Sequence, residues 1–156
     1  MLSEESKKEL EAALGKYPDK RSAVMDALRI AQKGNGGHLA KEDMDEIASM
    51  LEMRPVEVNA AAAFYTMYNI ERPVGKYHIQ VCRNISCSLL GAEHLIKHME
   101  RTLGIGTGQT TPDKLFTLST VECLGSCGTA PMMQINDDYY ENLTETRIDE
   151  LLKTLK

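Results

Sequence analysis

The sequence has no apolar run approaching the roughly 18–20 residues that span a bilayer, no excess of basic charge, and no cysteine before residue 82. Each absence excludes something. Without the apolar run no transmembrane helix is expected, and so no direct membrane insertion. The charged start, Met1-Leu2-Ser3-Glu4-Glu5-Ser6-Lys7-Lys8, also lacks the apolar stretch of a secretory signal, so the expectation is a cytoplasmic protein. Lys and Arg number 18 against 23 Asp and Glu, a net charge of −5. A nucleic-acid partner would call for a basic face, and none is to be expected here. The deficit is also even: residues 1–70 carry 9 basic and 12 acidic side chains, and residues 71–156 carry 9 and 11, so no charged tail stands out. What is present is ordinary for a globular chain, with 156 residues, 42% hydrophobic and 26% charged. That composition excludes a disordered or low-complexity protein.

The first half reads as helices. Leu10 and Leu14 suggest a short one, and Asp19 can cap a stretch in which Val24, Leu28 and Ala31 recur at helical spacing until Gly34-Asn35-Gly36-Gly37. Lys41 to Met53 puts Met44, Ile47, Ala48 and Leu51 on one stripe, and Pro55 suits the first turn of a further helix through Ala60 to Phe64. A small helical bundle accounts for these stripes. From Lys76 the period changes. Tyr77, Ile79 and Val81 alternate with His78, Gln80 and Cys82, as a half-buried strand would. A helix is expected over Ser88 to Leu103, then a Gly-rich loop, and a second strand over Leu115 to Cys123. A hairpin follows from Met132–Ile135 and Tyr139–Leu143, and Thr144 caps a last helix carrying Ile148, Leu151, Leu152 and Leu155.

Strand–helix–strand implies two parallel strands joined by a crossover, with both carboxyl ends on one edge of the sheet. Cys82 would end the first strand and Cys123 the second, with Cys87 and Cys127 in the loops just beyond. Four thiols distant in sequence thus converge where open α/β sheets keep their ligand sites.

A reducing compartment argues against paired disulfides for C-x4-C (Cys82, Cys87) and C-x3-C (Cys123, Cys127), and points to a metal or a redox dithiol. Zinc accepts four thiolates at either spacing. A [2Fe–2S] cluster needs two thiolates on each of two irons, which four cysteines also satisfy. A thioredoxin-type dithiol normally uses C-x-x-C, and neither pair has it, so a free dithiol reductase ranks third. No charged side chain lies between Cys123 and Asn136, and only Arg83 lies between Cys82 and Glu93. Gly125, Gly128, Ser86, Ser126 and Thr129 leave backbone N–H groups free to reach sulfur. Such surroundings tune a cluster and would suit a structural zinc too, so both stay open, with iron–sulfur ahead. His38, His78, His94 and His98 show no Cys-x-His pairing, which argues against a Rieske centre; His94 and His98 read as two solvated side chains. Gly104 to Gly108 reads as a helix cap and loop rather than a phosphate loop. Tyr65, Tyr68, Tyr139 and Tyr140 read as packing residues.

The segment Gly108 to Asn142 (GQTTPDKLFTLSTVECLGSCGTAPMMQINDDYYEN), with Gly75 to Cys87 (GKYHIQVCRNISC), strongly resembles the family of the 24-kDa iron–sulfur subunit of respiratory complex I. Ala63 to Tyr68 (AFYTMY) and Ile30-Ala31-Gln32 are similar to it as well. The resemblance implies an α+β protein: a helical bundle over residues 1–72, then a thioredoxin-like α/β domain over residues 73–156 of order β-α-β-β-β-α. It implies one [2Fe–2S] cluster, with Cys82, Cys87, Cys123 and Cys127 on the four ligand positions. It further implies a partner flavoprotein that carries FMN and oxidises NADH, with further iron–sulfur subunits in the peripheral arm of the complex. The expected place is the cytoplasmic face of a bacterial inner membrane, and the expected role is electron transfer without bond-making chemistry. NAD-linked hydrogenases and formate dehydrogenases use the same subunit type. A zinc-stabilised interaction module is the alternative of another class. Gln109 departs from the family, which often has Glu there.

Overall fold

A computed structural model describes residues 1–70 and 73–155. They divide into two compact units, Met1–Pro73 and Val74–Lys156. The boundary expected between residues 72 and 73 borders residues 71 and 72, which lie outside the described residues.

Among the described residues the first unit holds four α-helices. Ser3 caps α1 (Glu4–Leu14), its hydroxyl accepting from the Ser6 N–H. Asp19 caps as its residue type suggests, but the turn it opens is a 3-10 turn over Lys20–Ala23 that leads into α2 (Val24–Gly34). Next come α3 (Lys41–Met50) and α4 (Pro55–Phe64), with Pro55 in the first turn, where its missing N–H leaves no bond unmade. The stripes read from the sequence meet in one core, in which Leu10, Leu28, Ile47, Leu51 and Val58 are wholly buried. Each such aliphatic side chain contributes roughly 1.5–3 kcal/mol of transfer free energy. Tyr68 packs into the same core, and its hydroxyl donates to the Met25 carbonyl at 2.9 Å.

The second unit is a mixed sheet with helices. β1 (Tyr77–Cys82) lies parallel to β3 (Phe116–Val121), in register from Tyr77 opposite Phe116 to Cys82 opposite Val121. β4 (Met133–Ile135) runs antiparallel to β1 on its other side, and β5 (Asp138–Tyr140) pairs with β4 as a hairpin. A short strand absent from the expected order, β2 (Gln109–Thr110), adds to the free edge of β3, so the sheet reads β2-β3-β1-β4-β5. The Gly-rich loop masks β2, whose two residues are too few to show a period. It is held by Gly108 N–H donating to the Leu118 carbonyl at 2.7 Å and by the Thr110 and Thr117 hydroxyls at 2.7 Å.

The single helix expected over Ser88 to Leu103 is two helices. α5 (Ile85–Leu89) and α6 (Ala92–Leu103) are separated at Gly91, whose φ of +94° is open to glycine and costly for other residues. The last helix, α7 (Glu145–Thr154), is capped by Thr144 as expected. Ile79, Val81, Met99, Leu118, Met133 and Ile148 are wholly buried in the core of this unit. At Gly75 the chain enters the sheet against the backbone of Lys114 and Leu115, where a Cβ would sit 3.0 Å from three backbone atoms.

His94 and His98 are not simply solvated. His94 Nε2 lies 3.0 Å from Glu145, and His98 is three-quarters or more buried between Glu145 at 3.1 Å and Asp149 at 2.7 Å, which ties α6 to α7.

Candidate metal centre

The parallel pairing of β1 and β3 sets the site. β1 ends on Cys82, and its N–H donates to the Met132 carbonyl at 3.2 Å while its thiol faces the Glu122 carbonyl. β3 stops at Val121, two residues sooner than expected, because the Arg83 N–H closes the ladder onto the Val121 carbonyl at 2.9 Å. Glu122 and Cys123 therefore lie past the strand, on the turn that leads to Gly125. Cys123 and Cys127 are exposed, whereas Cys82 and Cys87 are buried, and all four are free thiols.

Cys87 lies on α5 rather than in a loop. Asn84 starts that helix, its side-chain oxygen accepting from the Ile85 N–H at 2.8 Å, and the Ser88 hydroxyl donates back to the Arg83 carbonyl at 2.8 Å. Five residues of helix then sort the side chains by face. Ile85 and Leu89, one turn apart, point outward and are 71% and 80% exposed, while Cys87 between them is 2% exposed. Cys127 opens a 3-10 turn, Cys127–Thr129.

Cys82, Cys87, Ala92 and Met132 form a small core of their own, with Leu124 and Ala130 packed against it. Burial, followed by the hydrogen-bonded Cys82 thiol, pushes the Cys87 thiol above its ordinary range, and Cys127 adds to the effect through its charge. Cys82 and Cys127 thus both lie within electrical reach of Cys87, and Cys123 lies on the exposed turn. Among the described residues, no three His, Cys, Asp or Glu side chains are grouped as a single metal ion would group them. The donor set is sulfur only, in two pairs, one backed by apolar side chains. That chemistry suits iron–sulfur, whose potential depends on burial and on hydrogen bonds to sulfur.

The sequence reading missed what holds the second pair. Tyr139, expected to pack, is half exposed, and its hydroxyl donates to the Leu124 carbonyl at 2.9 Å. The Thr129 N–H, expected to be free for sulfur, donates to the Ser126 carbonyl at 3.3 Å. The Ser126 and Thr129 hydroxyls both meet the carboxylate of Glu141. A free acidic side chain 14 residues beyond Cys127 carries no sequence signal of that contact. The ion pair of Arg83 with Glu122, at 3.5 Å, is solvent-exposed.

Residues 10–156 match the thioredoxin-like [2Fe–2S] ferredoxin family. The chain is similar to a subunit of the NADH-quinone oxidoreductase of Rhizobium meliloti, 51% identical over 96% of this chain and 88% of that protein. It is 46% identical to NADH-quinone oxidoreductase subunit 2 of Thermus thermophilus, over 94% of this chain and 82% of that one. Among solved structures it superposes on an NAD+-reducing [NiFe]-hydrogenase in its air-oxidised state with a TM-score of 0.74 at 25% identity. That match covers 85% of this chain but only 22% of the hydrogenase chain. The sheet and a match that runs through all four cysteines agree: the chain belongs to the thioredoxin-like [2Fe–2S] ferredoxin family.

Proposed function

We propose that the protein is the electron-transfer subunit of an NADH:quinone oxidoreductase, holding one [2Fe–2S] cluster on Cys82, Cys87, Cys123 and Cys127, beside the FMN of a partner NADH-oxidising flavoprotein. The observation that carries this reading is similarity to one subunit of bacterial NADH-quinone oxidoreductases, at 45–51% identity along nearly the whole chain. When bound, such a cluster exchanges single electrons, whereas a flavin accepts the two electrons of a hydride together.

The chain's own part is to bind and to insulate. Cys82 and Cys87 supply thiolates from the buried side, where Ala92, Met132, Leu124 and Ala130 keep water away. Cys123 and Cys127 supply theirs from the exposed rim. Ile85, Leu89 and Leu90, on and beside the helix that carries Cys87, leave an exposed apolar surface. A flavoprotein seated there would cover them and bring its cofactor near the thiolates. Further iron–sulfur subunits would complete the peripheral arm, on the cytoplasmic face of a bacterial inner membrane. Among the described residues no helix is long and apolar enough to cross a membrane, so attachment would come through partners.

A second reading, the equivalent subunit of an NAD-linked hydrogenase, is favoured by the structural match to the NAD+-reducing enzyme. The catalytic subunit that co-purifies with the native complex separates the two. For the cluster itself, the decisive experiment is anaerobic purification with iron and labile sulfide counted and EPR recorded before and after dithionite. Two iron and two sulfide per chain, about the content of one such cluster, with a spin-half signal only after reduction, is the expected result. Cys87→Ser should lose that signal. Zinc without sulfide, even after anaerobic reconstitution, would overturn the reading.

A further inference from the structure

The turn that carries Cys127 has little of its own to hold it. Gly125, at a φ of +80°, and Gly128 flank Ser126 and Cys127, so the local backbone is unusually free. Within the turn, the Thr129 N–H and the Thr129 hydroxyl both reach the Ser126 carbonyl at a long 3.3 Å. No charged side chain lies between Cys123 and Asn136.

The stabilising contacts come from the chain after the hairpin. The Tyr139 hydroxyl donates to the Leu124 carbonyl at 2.9 Å. The Asn142 N–H donates to the Thr129 carbonyl at 2.7 Å, and the Leu143 N–H to the Pro131 carbonyl at 2.9 Å. Between them, one oxygen of Glu141 accepts from the Ser126 hydroxyl and, at 2.6 Å, from the Thr129 hydroxyl, while those two hydroxyls lie 2.9 Å apart. An ionised carboxylate only accepts, so in both contacts the hydroxyl donates to Glu141, while the Thr129 hydroxyl also lies 3.3 Å from the Ser126 carbonyl. Bonds to a charged acceptor are about twice as strong as neutral ones. Arg147 donates to the Glu141 carbonyl at 2.7 Å and steadies the backbone that presents the carboxylate.

We propose that Glu141 is a positioning residue for the Cys127 thiolate, clamping the two hydroxyls that flank it and fixing a negative charge on the turn that carries Cys127. The inference rests on the ligand set proposed above. Its two consequences are separable. The clamp slows loss of the cluster, because supporting partners of metal ligands typically govern retention. The charge makes adding an electron harder and so lowers the potential.

The test uses the full-length, cluster-loaded protein with Glu141→Gln and Glu141→Ala. Glutamine keeps an oxygen that can accept from both hydroxyls and removes the charge. It should retain wild-type iron content and EPR line shape and lose cluster to an iron chelator at a rate between those of wild type and Glu141→Ala, with a more positive midpoint potential. Alanine removes the acceptor as well and should lose the cluster faster by on the order of tenfold or more, with an altered EPR line shape. An unshifted potential in Glu141→Gln, together with wild-type retention in Glu141→Ala, would overturn the proposal. A wild-type chain that binds no iron and labile sulfide is a different failure, since it overturns the ligand set itself.

Discussion

His78 shows how one side chain in the sheet makes stability depend on pH. It stands on β1 with its Nε2 against the Ser119 hydroxyl, and burial holds its pKa down at about 4, from an ordinary 6.5. Between these values a histidine in the unfolded chain is charged while His78 in the fold is neutral. The unfolded state therefore binds more protons, and stability falls as pH drops through that window. Above 6.5 the contribution is complete, and it is lost progressively down to about 4. The carboxylates act lower: Glu57, held at about 2 first by the Arg54 N–H and then by the Arg54 and Arg21 guanidinium groups, costs stability only below its ordinary 4.5. Thermal melts at stepped pH should show a decline between 6.5 and 4 that His78→Gln flattens, and an equal slope in that variant would assign the decline to another group. The residue scale is also where the sequence was most and least legible. Cysteines pair visibly by spacing because their chemistry is rare and local. Glu141 does not, because its partners Ser126 and Thr129 lie 15 and 12 positions away and any acidic residue would look the same.

Helix α6 and the strands show what periodicity can and cannot fix at the scale of elements. Leu95, Ile96 and Met99 are buried as their spacing requires, and α6 was legible for that reason. Leu89 fits the same stripe by number yet is among the most exposed apolar residues, because Gly91 interrupts the helix and turns α5 away. A stripe counts side chains and is blind to one left-handed residue between them. Likewise the β-branched composition of β3 carries on to Cys123, whereas the ladder ends where Arg83 takes the last carbonyl. The break at Gly91 has a measurable cost attached. Nothing lies within 4 Å of a Cβ built there, so Gly91→Ala creates no clash and only forces alanine to a φ of +94°. The expected loss is about 1–2 kcal/mol of stability, read in denaturant as a lower midpoint at unchanged slope. A neutral result would mean that the chain relaxes into one continuous helix. Such a helix would swing Cys87 off its buried face, and cluster content in the same variant would report it.

At the scale of the whole molecule, the two units have separate cores, one built from residues up to Tyr68 and the other from Ile79 onward. The switch from helical to alternating period at Lys76 separates the stretches that build them. Each unit is of a size at which one hydrophobic core supplies only about 3–5 kcal/mol, and small folds of this kind commonly add a metal as a staple. Only the second unit carries cysteines. A cluster bound to its folded form and not to the unfolded chain stabilises that unit by mass action, and the four-helix core has no thiol through which to share the gain. Hydrogen exchange on the full-length protein before and after anaerobic removal of the cluster should therefore be lopsided. Amides of β1 and β3, which meet the Cys82 and Cys123 ends of the site, should lose protection by at least an order of magnitude, the equivalent of about 1.4 kcal/mol. Those of α1 to α4 should be unchanged. Equal loss in both units would show that they unfold as one cooperative body, and equal protection throughout would show that the cluster contributes nothing to the fold that holds it.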